Sequence, residues 1–203
     1  MSNTQVDISN MALHHLGKDE IASLTENSTE GRACNFWFSK SAEEVLEMSN
    51  WTFARKIASL AQLTNDYSQR WEYKYDRPSD CLKFIRLVPI VDPVDGGPVE
   101  VQMLGTSIYS NEVDAAAEYV YPNLSTTSWP SQFSLAVSLV MARNMAMKLT
   151  RKGALFNNMH ALAERAVYRA VEYDANQEVT YWTAESDFLV DRNGGPSTNV
   201  WGD

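Results

Sequence analysis

The side chains able to do chemistry are few, and their spacing groups them poorly. The 203 residues include three histidines, two cysteines and 26 carboxylates. His14 and His15 are adjacent, so on a helix they point about 100° apart and cannot hold a metal with i, i+4 geometry. His160 stands alone. Cys34 and Cys81 lie far apart among apolar residues, which predicts two reduced, half-buried thiols rather than a disulfide. Cys-x-x-Cys, Walker A, G-x-S-x-G and G-x-G-x-x-G are all missing, and Gly96-Gly97 between prolines reads as a turn. The expectation is a chain with no catalytic, cofactor or metal residue.

Two carboxylate pairs bear on one enzymatic alternative. Asp76 and Asp80 flank Pro78, while Glu112 and Asp114 sit near a strand end beside Tyr109 and Tyr119. A polysaccharide hydrolase needs two such carboxylates on aromatic walls. Close pairs also arise by chance when acids are this numerous, so the plainer reading is solvated surface. The formal net charge of -9 makes the chain a poor candidate for gripping phosphate backbones. Arg55-Lys56 and Arg151-Lys152 are short basic pairs at segment ends, not a stripe.

Two aromatic groups remain. Trp71, Tyr73 and Tyr75 alternate with Glu72, Lys74 and Asp76, giving a strand with one aromatic face that is either core or interface. Tyr181, Trp182, Phe188 and Trp201 lie in a last stretch without sustained period, containing Asn193-Gly194-Gly195-Pro196. That arm either folds back on its own body or docks on another subunit.

The elements that would position these groups follow from capping and period. Thr4 to Leu16 reads as a helix, with Thr4 and Asp7 as a capping pair, an Ile8, Ala12, Leu16 stripe, and Gly17 as the stop. Ile21 and Leu24 anchor the loop that follows, and Asn27 or Ser28 caps a second helix from Thr29 to Met48. Phe53–Leu63 reads as a strand forming a hairpin with Trp71–Tyr75, and Leu82–Val88 continues the sheet. Pro89–Pro98 is an exposed loop, and further strands follow at Val99–Met103, Ser107–Ser110 and Ala117–Tyr121, turned at Gly105-Thr106. In all, five or six antiparallel strands are expected. Pro130 sits at the N1 position of a helix carrying Phe133, Val137, Val140, Met141, Asn144 and Met145, which Gly153 breaks. A last helix over Phe156–Asn176 pairs antiparallel with it, and both pack on the second helix.

The fold class is therefore α+β: an antiparallel helical bundle with an inserted small antiparallel β-domain and an extended C-terminal tail. Residues 1–50 and 122–176 form the helical body, 51–121 the β-rich insertion, and 177–203 the arm. The N-terminus has neither a basic n-region nor an apolar h-region, and Arg143, Asn144 and Lys148 break the longest apolar run, 133–149. The reading is a soluble protein made in a reducing cytoplasm.

Four pieces in order carry a resemblance. They are L-H-H-L-G with I-A-S-L (Leu13–Gly17, Ile21–Leu24), W-T-F-A after the second helix (Trp51–Ala54), Y-D-R-P-S-D-C-L (Tyr75–Leu82), and E-Y-V-Y-P then W-P-S-Q-F (Glu118–Phe133). Together, spanning about Thr4 to Asn176, they resemble the head-to-tail connector, or tail tubular protein A, family of short-tailed bacteriophages. The resemblance implies a structural virion protein without turnover, located at the head–tail junction. It would form a ring, a dodecamer in the family, that joins the portal to the tail nozzle around the channel of the exiting genome. It also implies portal or neighbour-subunit contacts for an arm bearing Tyr181, Trp182, Phe188 and Trp201. A head-completion protein of a long-tailed phage is the related alternative.

Overall fold

A computed structural model of the chain describes residues 3–89 and 99–177. Helix α1 (Gln5–His15) begins on a capping box in which the Thr4 hydroxyl accepts from the Asp7 amide and the Asp7 carboxylate accepts from the Thr4 amide. It ends in a Schellman motif: the Lys18 amide reaches the Leu13 carbonyl and the Gly17 amide that of His14. Gly17 takes φ +64°, a conformation that L side chains resist. Helix α2 (Thr29–Met48) starts where the Ser28 hydroxyl accepts from the Gly31 amide at 2.9 Å.

Helix α3 (Ser131–Thr150) packs against α1, α2 and α4 (Gly153–Ala175). Its buried residues, Phe133, Val137, Leu139, Val140, Met141 and Met145 among them, occupy nearly every face, which marks a central helix rather than one with a single apolar stripe. Two expectations about α3 need correction. Pro130 is the cap preceding the helix, its carbonyl accepting from the Ser134 amide. The break falls at Arg151, in the left-handed region at φ 56°, and Gly153 opens α4 instead. A third correction concerns packing: α3 is the helix that meets α2, while α4 lies on α3.

Seven strands, not five or six, fall between Arg55 and Val120 among the described residues, and they form two sheets. The first has order β1 (Arg55–Ser59), β7 (Ala116–Val120), β4 (Lys83–Val88). The second has order β2 (Gln62–Leu63), β3 (Tyr73–Asp76), β6 (Ser107–Ser110), β5 (Val101–Leu104). Every pairing is antiparallel. The stretch read as one strand over Phe53–Leu63 is split three ways. Thr52–Ala54 is a short 3-10 turn whose Phe53 ring meets Phe133, and β1 and β2 belong to different sheets. Trp71 precedes β3 rather than sitting in it, and β4 joins the first sheet rather than continuing the hairpin of β2 with β3. Gly105, at φ +60°, turns β5 into β6.

Ala54 and Val120 share one apolar core with the four helices, and Leu82 and Ile85 pack against it. The first sheet is therefore continuous with the helical core. The second sheet rests on a smaller cluster of Tyr75, Leu87, Ile108 and Ala115. At the joint, Phe133 is the hub of an aromatic set: Trp51, Phe53 and Trp129 lie 4.9, 4.8 and 4.9 Å from it, centroid to centroid. The indole N–H groups of Trp51 and Trp129 donate to the carbonyls of Val45 and Asn123 at 2.9 and 2.8 Å, so both rings are buried without an orphaned donor. Each large side chain so removed from water contributes on the order of 2 kcal/mol.

Candidate functional site

The C-terminal aromatics Tyr181, Trp182, Phe188 and Trp201 lie outside the described residues, as do residues 90–98, most of the stretch expected to be an exposed loop. Of the aromatic strand, Trp71 and Tyr75 are buried within the subunit and Tyr73 is half-buried. Trp71 donates from Nε1 to the Gln102 side chain at 2.9 Å, and the Tyr75 hydroxyl donates to the Glu112 carbonyl. Burial pushes the Tyr75 phenol up from its usual range. Tyr73, stacked on Tyr75 at 6.3 Å, is the one of the three left with appreciable surface.

Of the carboxylates weighed for hydrolysis, Asp80 is engaged with partners of its own. Asp80 accepts from Lys56 Nζ and from the Tyr119 hydroxyl, both at 2.7 Å, and these two bonds hold its carboxyl below the ordinary carboxylate range. A general acid needs the opposite shift. Asp76 ends β3 opposite Ser107, and Asp114 occupies a left-handed turn at φ 49°. Glu112 serves through its backbone carbonyl.

A second, matching constellation stands on the other sheet. Asp66 accepts from Lys74 Nζ at 2.9 Å and from the Tyr109 hydroxyl at 2.8 Å, and its carboxyl is likewise held low, by Lys74 first and Tyr109 second. In both cases the Lys and Tyr are directly opposed cross-strand partners, Lys56 with Tyr119 and Lys74 with Tyr109, and the ammonium lies over the ring at 5.9 and 5.5 Å. The aspartate comes from the neighbouring loop. These are clamps that pin loops to sheets.

Among the described residues no group of three or more His, Cys, Asp and Glu could hold a metal ion. His14 faces Glu20 at 2.9 Å, and His160 faces Glu164 at 3.5 Å, one turn along α4. Burial pushes His15 below the usual imidazole value, with the His14 charge adding to it. Both cysteines are free and buried, deeper than the half-burial expected of them. Burial pushes the Cys34 thiol up to about 11 and raises Cys81 in the same direction. No helix among the described residues is long and apolar enough to cross a membrane.

Compared with models of known protein families and with curated proteins, the chain matches none. Any functional reading rests on residues and geometry.

The surface feature with the most character is a groove of about 380 Å³ where α3, α4 and the end of α2 meet. It is lined by Met48, Val140, Ala163, Val167, Tyr168 and Val171, with Arg143 and Glu164 at its rim. Arg143 is held there by Glu44, whose two oxygens accept from one guanidinium nitrogen at 2.6 and 2.7 Å, and by Asn144. Tyr168 is 67% exposed and Met48 48%, so apolar surface stands open to solvent on both sides. The sequence reading passed over this groove. Its signal was Tyr168, a large aromatic off the apolar stripe of the last helix.

Proposed function

We propose that the chain is a structural virion protein, the subunit of a head-to-tail adaptor ring that joins a portal to a tail nozzle around the DNA exit channel. The observation that carries this reading is where the four resembling stretches lie in the fold. Leu13–Gly17 closes α1 with the Schellman motif, and Ile21 is tied back to Asn10 by two hydrogen bonds at 2.9 and 3.1 Å. Trp51–Ala54 and Trp129–Phe133 meet face to edge around Phe133. Tyr75–Leu82 carries the chain from the second sheet to the first, where Asp80 closes its clamp. The motifs are thus the joints of an architecture, which is what a scaffold without turnover would keep.

The finer architecture belongs to the same proposal: a helical bundle with a β-rich insertion and an arm that reaches the portal or adjacent subunits through Tyr181, Trp182, Phe188 and Trp201. A closed ring needs two different faces on each subunit, each complementary to the other. The net charge of -9 suits a channel wall that repels phosphates so that DNA slides. A lumen mapped as neutral or basic would remove that part.

The deciding experiment mixes purified protein with the portal oligomer of the same phage and examines the mixture by negative-stain microscopy. Rings seated under the portal are expected. Failure to bind any portal oligomer would overturn the proposal.

A further inference from the structure

We propose that two copies of the chain meet head to tail, the exposed face of α2 on one lying antiparallel across the exposed face of α4 on the next. Three observations carry this contact.

The first is a pair of matching rows. On α2, Arg32, Phe36 and Lys40 recur every four residues, on the side away from the buried Cys34, Phe38, Ala42 and Val45. On α4, Glu164, Tyr168 and Glu172 recur at the same interval, away from the buried Met159, Ala163, Ala166 and Ala170. All six side chains are exposed, Phe36 by 56% and Tyr168 by 67%. One row reads cation, ring, cation and the other anion, ring, anion.

The second is register. With the helices antiparallel and Phe36 opposite Tyr168, Arg32 falls opposite Glu172 and Lys40 opposite Glu164. The same register sets Asn35 and Ser39 against Arg169 and Arg165, and Glu43 and Glu47 against Ala161 and Asn157. No like charges face each other. Rows of this spacing on two helices run side by side at the commonest crossing angle, about −50°. Neither face suits itself in the same way. Two α2 helices paired about Phe36 oppose Arg32 to Lys40, and two α4 helices paired about Tyr168 oppose Glu164 to Glu172. The match joins unlike faces, so the contact is heterologous.

The third is an apolar seat. Tyr168 edges the groove lined by Met48, Val167 and Val171. A Phe36 ring packed on Tyr168 from the next copy covers that edge, and the Lys40 ammonium, 5.0 Å over the same ring, arrives with it.

This contact deepens the adaptor reading by naming the two faces that join neighbours, and it rests on that reading only for closure into a ring. The test uses the full chain without portal, so its failure is separate from a failure to bind portal. An Asn35→Cys protein and an Arg169→Cys protein are treated with a short bis-maleimide, separately and mixed, Cys34 and Cys81 being buried. The mixture is expected to give roughly tenfold more covalent dimer than either protein alone, because only there do two thiols meet across the contact. Adding Arg32→Glu and Lys40→Glu to the Asn35→Cys protein should lower the mixed yield roughly tenfold. Adding Glu164→Lys and Glu172→Lys to the Arg169→Cys partner should then restore it, which also shows that both variants are folded. A yield from Arg169→Cys alone as high as the mixture would mean that α4 pairs with itself and would overturn the proposal. Equal yields throughout, a mixed yield indifferent to the reversal, or a loss that the second reversal does not repair would overturn it too.

Discussion

The two sheets carry the same polar device on different foundations. Each has a Lys–Tyr cross-strand pair closed by a loop aspartate, with donor–acceptor distances between 2.7 and 2.9 Å. Behind the first sheet lies the helical core, reached through Ala54, Val120, Leu82 and Ile85. Behind the second, among the described residues, lies the small cluster around Tyr75 and Ile108, to which Leu87 of the first sheet also belongs. Similar clamps on unequal cores separate two roles: the clamp places a loop, and buried apolar area decides how firmly the sheet holds. The chain crosses between the sheets repeatedly, since β1, β4 and β7 belong to one and β2, β3, β5 and β6 to the other. The weaker sheet is thus woven into the stronger.

Breaking the foundation of the first sheet gives the largest effect. Phe133→Ala empties the centre of the aromatic joint and is expected to cost about 3–5 kcal/mol, read as a lower denaturant midpoint at unchanged slope. Because that core is shared, helical ellipticity should be lost, and Cys34 and Cys81 should become reactive to a thiol reagent, in one transition. Separate transitions would show that the first sheet stands without the helices. Ile108→Ala strikes the other foundation. It should cost about 2–4 kcal/mol and speed amide exchange in β3, β5 and β6 far more than in α3. Equal acceleration in α3 would erase the contrast between the sheets.

A smaller effect sharpens the contrast from the polar side. Glu118 on β7 lies between Arg55 at 3.5 Å and Arg86 at 2.6 Å, with its own side chain 9% exposed. Arg86 is 66% exposed, so water screens part of that attraction. Glu118→Gln is therefore expected to cost about 1–2 kcal/mol, measured by chemical denaturation. A neutral result would mean that the buried carboxylate's desolvation cancels its pairing.

What could be read from the sequence was what is local. The ends of α1 and α2 follow from Thr4, Asp7, Gly17 and Ser28, whose partners lie three or four residues away. Sheet membership was not legible, because alternation fixes which face a residue takes and not which strand lies beside it. Leu82–Val88 reads the same whether it extends a hairpin or crosses to β7. Asp174 looks like a solvated helix residue until Thr52, 122 positions away, is folded against it. Arg151 in the left-handed turn defeats a rule that favours the nearby Gly153. The groove needs three helices in place, so only Tyr168 hinted at it.

The smallest effect tests the clamps, through pH. Asp66 and Asp80 are held below the ordinary carboxylate range by Lys74 and Lys56 first and by the tyrosine hydroxyls second. A depressed folded-state pKa stabilises fully above the unfolded value near about 4, and that contribution is lost as pH falls through the lower, folded value. The lysines carry the opposite sign: raised by their aspartates, they contribute below the unfolded lysine value and lose it only in strong alkali. Both clamps should therefore be intact across neutral pH and open on the acid side. Asp80→Asn and Asp66→Asn keep an acceptor for the tyrosine but remove the titration, so each should flatten part of the acid limb of the stability profile. The difference between the sheets gives the two variants different readouts. Asp80→Asn should shift the global denaturation midpoint slightly, because its sheet shares the helical core. Asp66→Asn should leave that midpoint alone and speed exchange only around residues 64–76. If both moved the global midpoint equally, the second sheet would be as firmly founded as the first, and the difference in backing would carry no energetic weight.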